Sequence, residues 1–252
     1  ADSQIYIKQI GVDQPEALTE HRGNDLSPVW SPDGQMIALR RFIASEKKVQ
    51  IVLKPQRGGT ERVLAEFELS AWANPPGPDH CWTGDSRWLI AVAKTASEKK
   101  WGLQLISVDT GKMRKLTTPP DGFAADGSPA LSPDGRTLVF ARHIDETRSD
   151  LYTMALSDGF AAKTEPRRIT FDNRANFAPT WTADGHEIVY VSGSQYGDTS
   201  LWRVSPFSSD KPRQLAFTGE GANHPAISPR GNRLAYALWS SDSDIWRTEV
   251  PQ

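Results

Sequence analysis

The sequence predicts an all-β chain in which one four-stranded unit is repeated about an axis. Three observations predict it. A turn segment, Ser-Pro-Asp-Gly at 31–34, returns intact or decayed as TGDS at 83–86, SPDG at 132–135, TADG at 182–185 and SPRG at 228–231. Its third residues, Asp33, Asp85, Asp134, Asp184 and Arg230, are separated by 52, 49, 50 and 46 residues, a period that marks an array of one supersecondary unit. Each turn lies between short apolar runs rich in β-branched and aromatic residues, and no stretch carries a helical period. Four-stranded antiparallel sheets repeated radially form a β-propeller, which leaves only short protected edges, whereas a sandwich or barrel would not need the same hairpin restated at this spacing.

The elements follow in order. Ser3–Thr19 reads as a third and a fourth strand with no hairpin before them, an N-terminal half blade. First strands then end at each turn: Pro28-Val29-Trp30, Cys81-Trp82, Ala130-Leu131, Thr180-Trp181 and Ala226-Ile227. Within the turn, Pro presets φ, Asp bonds its local backbone and Gly supplies the positive φ that closes a tight hairpin. Second strands are Met36–Leu39, Trp88–Val92, Thr137–Phe140, Glu187–Val191 and Arg233–Ala237. Third strands are Val49–Leu53, Gly102–Ile106, Asp150–Met154, Ser200–Val204 and Asp244–Thr248. Short fourth strands end at Val63-Leu64, Leu116-Thr117, Ile169-Thr170 and Leu215-Ala216. Copy two departs, with His80 where Pro is expected, Gly84 for the turn Pro and Ser86 for the turn Gly. Copy five carries Arg230 where Asp is usual, so these two hairpins are expected to be weaker.

The count is five first, five second, six third and five fourth strands, one more than five complete blades require. Either Ile5–Ile10 supplies the outer strand of the last blade, or residues 1–252 belong to a larger propeller. The opening reads like the middle of a blade, which favours the second. Both readings give one propeller domain over residues 1–252.

The pattern xPxWSPDGxxIAF, a gap, a strand opening (D/S)(I/L)(Y/W), then LT resembles the WD-like repeat of TolB-type propellers. Pro28–Leu39, Pro129–Phe140, Pro179–Tyr190 and Pro225–Tyr236 carry it, with Ile5-Tyr6, Leu151-Tyr152, Leu201-Trp202 and Ile245-Trp246 in third strands. The resemblance covers almost the whole chain. It implies the propeller fold, but a fold hosts many functions. Relatives of this kind occur as periplasmic interaction proteins, as propeller halves of dipeptidyl-peptidase-like enzymes, and in bacterial signalling proteins behind a DNA-binding or protein-kinase module. The opening run SQIYIKQIG is similar to the start of the signalling-protein propellers.

Composition narrows the function classes. With 38% hydrophobic and 24% charged residues and a mean hydropathy of −0.51, the chain suits a soluble protein of thin sheet layers. No apolar run approaches the roughly 18 residues of a membrane span, and the N-terminus lacks a signal-peptide pattern. Net charge is −2. The basic pairs Arg40-Arg41, Lys47-Lys48, Lys99-Lys100 and Arg167-Arg168 are scattered, which argues against a nucleic-acid surface. The lone Cys81 excludes an internal disulfide and a cysteine metal cluster, and is expected to pack as a small hydrophobe.

In a repeat, equivalent positions are core first. Trp30, Trp82 and Trp181 share one position and Trp202 and Trp246 another, so all are expected between blades. Trp72, Trp101 and Trp239 fall outside that register and are the better candidates for exposed contact. The histidines are too dispersed for a metal or catalytic motif. Gly193-Ser194-Gln195-Tyr196-Gly197 has glutamine where a nucleophile elbow needs serine. Gly58-Gly59-Thr60 lacks the Lys-Ser/Thr and the helix of a phosphate loop, and Asp242-Ser243-Asp244 lacks the further ligands of a calcium loop. No cofactor is implied.

Recognition on a repeat scaffold needs positions that vary over a common frame. The loops ahead of the first strands supply them: Arg22, Asn24 and Asp25, then Asp79 and His80, Asp126, Asn176, Asn223 and His224. They are expected to converge near the axis as a polar, mildly acidic mouth for a peptide segment or small polar ligand, a bound cation being compatible with it. The chain therefore reads as a non-catalytic binding scaffold, the sensory or interaction region of a larger bacterial signalling protein (transcriptional regulator or Ser/Thr kinase type) or an envelope interaction protein. The expected compartment is periplasmic or extracytoplasmic, with a cytoplasmic place as the alternative. The competing function is enzymatic, either the propeller of a dipeptidyl-peptidase-like hydrolase or a propeller sugar lyase.

Overall fold

The computed structural model describes residues 3–8, 14–20, 23–69, 78–95, 97–194, 198–228 and 233–238. Twenty strands and two short 3-10 turns, but no α-helix, occur among the described residues. A two-stranded unit, β1 (Tyr6–Ile7) with β2 (Glu16–Ala17), comes first. Four four-stranded antiparallel blades follow. Blade one is β3 (Asn24–Trp30), β4 (Met36–Ile43), β5 (Lys48–Pro55) and β6 (Arg62–Glu68). Blade two is β7 (His80–Trp82), β8 (Trp88–Ala93), β9 (Gly102–Ser107) and β10 (Met113–Lys115). Blade three is β11 (Ala125–Leu131), β12 (Thr137–His143), β13 (Ser149–Ala155) and β14 (Arg167–Arg168). Blade four is β15 (Ala175–Trp181), β16 (Ile188–Gly193), β17 (Ser200–Val204) and β18 (Arg213–Gln214), and blade five shows β19 (Ala222–Ile227) with β20 (Leu234–Leu238). The innermost strands β3, β7, β11, β15 and β19 pack against one another in chain order, the radial succession of a propeller.

Local chemistry explains the repeated hairpin. Ser31 Oγ donates to Asp33 Oδ1 at 2.6 Å and accepts the Met36 N–H at 2.9 Å, while Gly34 at φ 71° donates its N–H to the Ser31 carbonyl. Ser132 and Thr182 repeat the hydroxyl-to-Asp bond with Asp134 and Asp184. Thr83 does so with Asp85, and Ser86 takes the glycine's place at φ 59°. The copy-two hairpin therefore forms without the turn Pro and Gly, because the hydroxyl and the carboxylate hold it. Ser86 Oγ even accepts the N–H of Asp33, tying two blades' turns together. The Arg230 turn lies outside the described residues.

The fourth strands of blades two to four end earlier than predicted, whereas that of blade one runs on to Glu68. In the second and third blades the Leu-Thr or Ile-Thr pair sits just beyond the ladder. Thr117 Oγ1 accepts the Leu103 N–H at 3.0 Å, and Thr170 Oγ1 accepts that of Leu151 at 2.9 Å. Thr19 does the same for Ile5. The pair is a clamp on the third strand rather than part of the fourth.

The core is two apolar clusters. One spans blades one to three through residues such as Ile51, Leu53, Ile90, Leu105 and Phe140, and the other spans blades three to five around Val191, Tyr190 and Leu201. The second strands of blades one to four are almost wholly buried because both of their faces meet a neighbouring sheet. The tryptophans divide. Trp82 is 7% and Trp181 6% exposed, each with its indole N–H on the preceding blade's inner strand (Val29 O at 3.0 Å, Ala130 O at 3.2 Å). Trp30 is 47% exposed against expectation, because the β1–β2 unit ahead of it offers no inner strand among the described residues. Trp101, one of the candidates for exposed contact, is instead 3% exposed and packs edge-on against Phe67 under the Arg40 guanidinium. Trp202 is half-buried. Trp72, Trp239, Trp246 and the Asp244–Thr248 strand lie outside the described residues, as does the pairing proposed for that strand.

Candidate functional site

Two ends of the inner strands concern function: the loop face, where each chain segment enters a blade, and the turn face, where the Ser-x-Asp hairpins lie. At the loop face Asp25 on β3 stands opposite Arg41 on β4. The guanidinium grips the carboxylate in two bonds, Nε–Oδ1 at 2.7 Å and Nη2–Oδ2 at 3.0 Å, and also reaches Glu61. Blade three repeats this with Asp126 and Arg142 at 2.7 and 2.9 Å. Both Asp side chains are buried, and such bidentate charge-assisted pairs are the strong kind. Burial nonetheless raises the Asp126 carboxyl above its ordinary range, although Arg142 pulls the other way. In blade four the same positions carry Asn176 and Ser192. Asn176 Nδ2 donates to Asp172 Oδ1 at 2.6 Å and to the Ser149 carbonyl at 3.1 Å.

Blade two departs. Asp79 Oδ1 lies 2.5 Å from Nδ1 of His80, and its Oδ2 lies 3.2 Å from Nε of Arg40, contributed by blade one. Burial works against the Asp79 charge, but Arg40 and His80 hold its carboxyl below the usual range. All three side chains are buried, and Nε2 of His80 has no hydrogen-bond partner. An Asp–His pair can orient a general base, yet among the described residues no hydrogen bond joins a hydroxyl or thiol to this imidazole.

The structure therefore brings Asp25, Asp79, His80, Asp126 and Asn176 to the loop face, but inside the protein and bonded there. Asn24 and Asn223 are half-buried, His224 is exposed at a β-bulge with φ 49°, and Arg22 lies outside the described residues. The pairs consume Arg40, Arg41 and Arg142. Their signal was in the sequence: Asp and Arg recur 16 residues apart in both copies, 25 with 41 and 126 with 142.

At the turn face the inner strands of blades two to five converge on a cavity of about 310 Å³ lined by Cys81, Trp82, Leu131, Pro133, Trp181 and Ile227. The half-buried Cys81 thiol is pushed up to about 12 by its apolar surroundings, so it stays protonated and is no nucleophile at neutral pH. A second depression between blades two and three, about 440 Å³, adds Asp85, Asp134, Arg136 and Phe160 to the Trp82 and Leu131 walls. Among the described residues no group of three His, Cys, Asp or Glu side chains is placed to hold a metal ion.

Comparison with known proteins decides the family: the TolB beta propeller domain (PD40) matches residues 82–249. The chain belongs to the TolB β-propeller family. It is 28% identical over 145 residues to an uncharacterised peptidase, YuxL, of Bacillus subtilis (strain 168), covering 58% of this chain and 19% of that protein. Among solved structures it resembles TolB from Acinetobacter baumannii, with a TM-score of 0.71, 19% identity and coverage of 94% of this chain and 54% of that one. It also resembles a TolB homologue from Agrobacterium tumefaciens, with a TM-score of 0.67, 21% identity and coverage of 94% and 84%. At these identities the two structures bear on fold alone. The chain spans under a fifth of the peptidase relative and about half of the first TolB structure.

Proposed function

We propose that this TolB-type propeller is a non-catalytic binding module that captures an apolar-anchored peptide segment of a protein partner in the turn-face cavity. The observation that carries the reading is the junction of four blades' inner strands around Cys81, Trp82, Leu131, Trp181 and Ile227, a concave apolar site with polar turns at its rim. The loop-face carboxylates, by contrast, are occupied by guanidinium groups inside the fold. The module serves as the sensory or interaction region of a larger bacterial protein, on the envelope side of the membrane, a place supported by its kinship with TolB propellers. No helix among the described residues is long and apolar enough to cross a membrane.

The test is selection of displayed peptides on the immobilised chain, followed by anisotropy titration of the synthesised binders. Leu131→Asp is expected to weaken them by about tenfold or more, the scale of one lost apolar anchor, and Asp25→Asn to leave affinity unchanged. Selection without binders, or binders indifferent to Leu131→Asp, would end the reading. A second reading, the propeller of a peptidase, is favoured by the identity with YuxL. A Gly-x-Ser-x-Gly elbow in an α/β sequence of the same open reading frame would decide for it.

A further inference from the structure

The turn-face cavity does not end at its apolar walls. Trp82, Leu131 and Pro133, which line it, also line the depression between blades two and three. The two spaces therefore form one groove. It is apolar at one end, where inner strands meet, and polar at the other, between the turns of blades two and three.

The sequence explains why the polar end is open. At the junction of blades one and two, the hydroxyl of Ser86 accepts the N–H of Asp33 at 3.1 Å and draws the two turns together. The corresponding groups one blade on are residue 135 and the N–H of Asp85. Residue 135 is glycine at φ 72° and has no hydroxyl to make that tie. A Cβ there would meet only the edge of Phe160, at 4.0 Å, so the space between the turns stays open.

Carboxylates line that space. Asp85 and Asp134 hold their turns through Oδ1 alone, which accepts both the Thr83 or Ser132 hydroxyl and the amide two residues on. No bond among the described residues spends Oδ2 of either, and the exposed Asp158 forms no ion pair there. The Ser132 hydroxyl and the Arg136 amide hold the Asp134 carboxyl below its ordinary range, so it is charged at neutral pH. Arg136 is the one cation lining the depression, against the three carboxylates of Asp85, Asp134 and Asp158.

We propose that the segment captured in this groove carries a lysine or arginine beside its apolar anchor. The anchor lies among Trp82, Leu131 and Trp181, and the cation among Asp85, Asp134 and Asp158. This rests on the turn-face reading of function and adds the charge that the occupant must bring. Two features select that occupant. The excess of carboxylates favours a cation over an anion, and the adjoining wall of Trp82, Leu131 and Phe160 suits the aliphatic stem of a long basic side chain. A compact hydrated metal ion would gain nothing from that wall.

The test uses the full chain and a binder from the displayed-peptide selection, compared with its analogue in which norleucine replaces the basic residue. Norleucine keeps the stem and removes the charge. Anisotropy titrations at low salt are expected to show the analogue about tenfold weaker. Asp85→Asn combined with Asp158→Asn should weaken the parent peptide and leave the analogue unchanged, because asparagine retains the Oδ1 that holds the Asp85 turn. Gly135→Ser, which restores the tie that Ser86 makes one blade earlier, should make the two peptides bind alike. Binders that depend on Leu131 but carry no basic residue, or bind as tightly with norleucine, would overturn this proposal and leave the proposed function standing. Equal weakening of both peptides by the paired Asp variants would overturn it as well, since that marks a structural role. Binding that falls away at high protein concentration would make a second copy the occupant and also overturn it. Selection without binders would end both readings.

Discussion

Trp181 and Trp30 occupy the same place in the repeat, so replacing each by Ala isolates the effect of the neighbouring blade. Trp181→Ala removes a buried ring and its bond to the Ala130 carbonyl and is expected to cost about 3–5 kcal/mol. Trp30→Ala, on an uncovered flank, should cost less than about 1 kcal/mol. Urea unfolding of the two variants checks the difference, and equal losses would mean that Trp30 is covered in solution. His143 provides a pH-dependent counterpart. Burial lowers its imidazole from 6.5 to about 4, Asp145 pulling weakly the other way. Below pH 6.5 the unfolded chain takes up a proton that the native state resists. This contribution to stability is therefore complete above 6.5 and is lost as pH falls towards 4. Its size is on the order of 3 kcal/mol. His143→Asn should flatten that slope in urea midpoints measured across the window, and parallel wild-type and variant profiles would refute the assignment.

Hairpins, clamps and inner-strand pairs are the elements of this fold, and they differ in how far the sequence alone reveals them. The hairpins were legible because their chemistry is local: a Ser or Thr hydroxyl, an Asp two residues on, and a residue at positive φ. The Leu-Thr signature was legible as a recurrence and misread as strand, because its hydroxyl bond is to a third strand 14 residues away in blade two. The buried Asp–Arg pairs were half legible. Their acidic members were singled out for varying between copies, but which partner faces them follows from register across the hairpin. The turn-face cavity was not legible at all, since it exists only where side chains of four blades meet. The clamp is testable. Thr117→Val keeps the shape but leaves the buried Leu103 N–H without an acceptor, a loss of about 1–3 kcal/mol. Denaturation together with faster exchange of the Leu103 amide would confirm it, whereas unchanged exchange would show that another group takes over.

At the scale of the molecule, each blade contacts mainly its chain neighbours, so stability is close to a sum of blade and interface contributions. Blades two, three and four have a partner on each side, and their second strands β8, β12 and β16 are almost fully buried. The β1–β2 unit and the β19–β20 hairpin are two-stranded among the described residues, and β20 has no fully buried residue. Two-stranded units are marginal in water on their own. A closed ring would equalise blades, whereas the described pairings leave the two flanks with fewer contacts to break on opening. Hydrogen exchange should therefore show a gradient: amides of β1, β2 and β20 exchange through local opening, and those of β8, β12 and β16 approach the global unfolding free energy. Uniform protection along the whole chain would mean that the flanks already meet, and the radial array would then have to be read as closed.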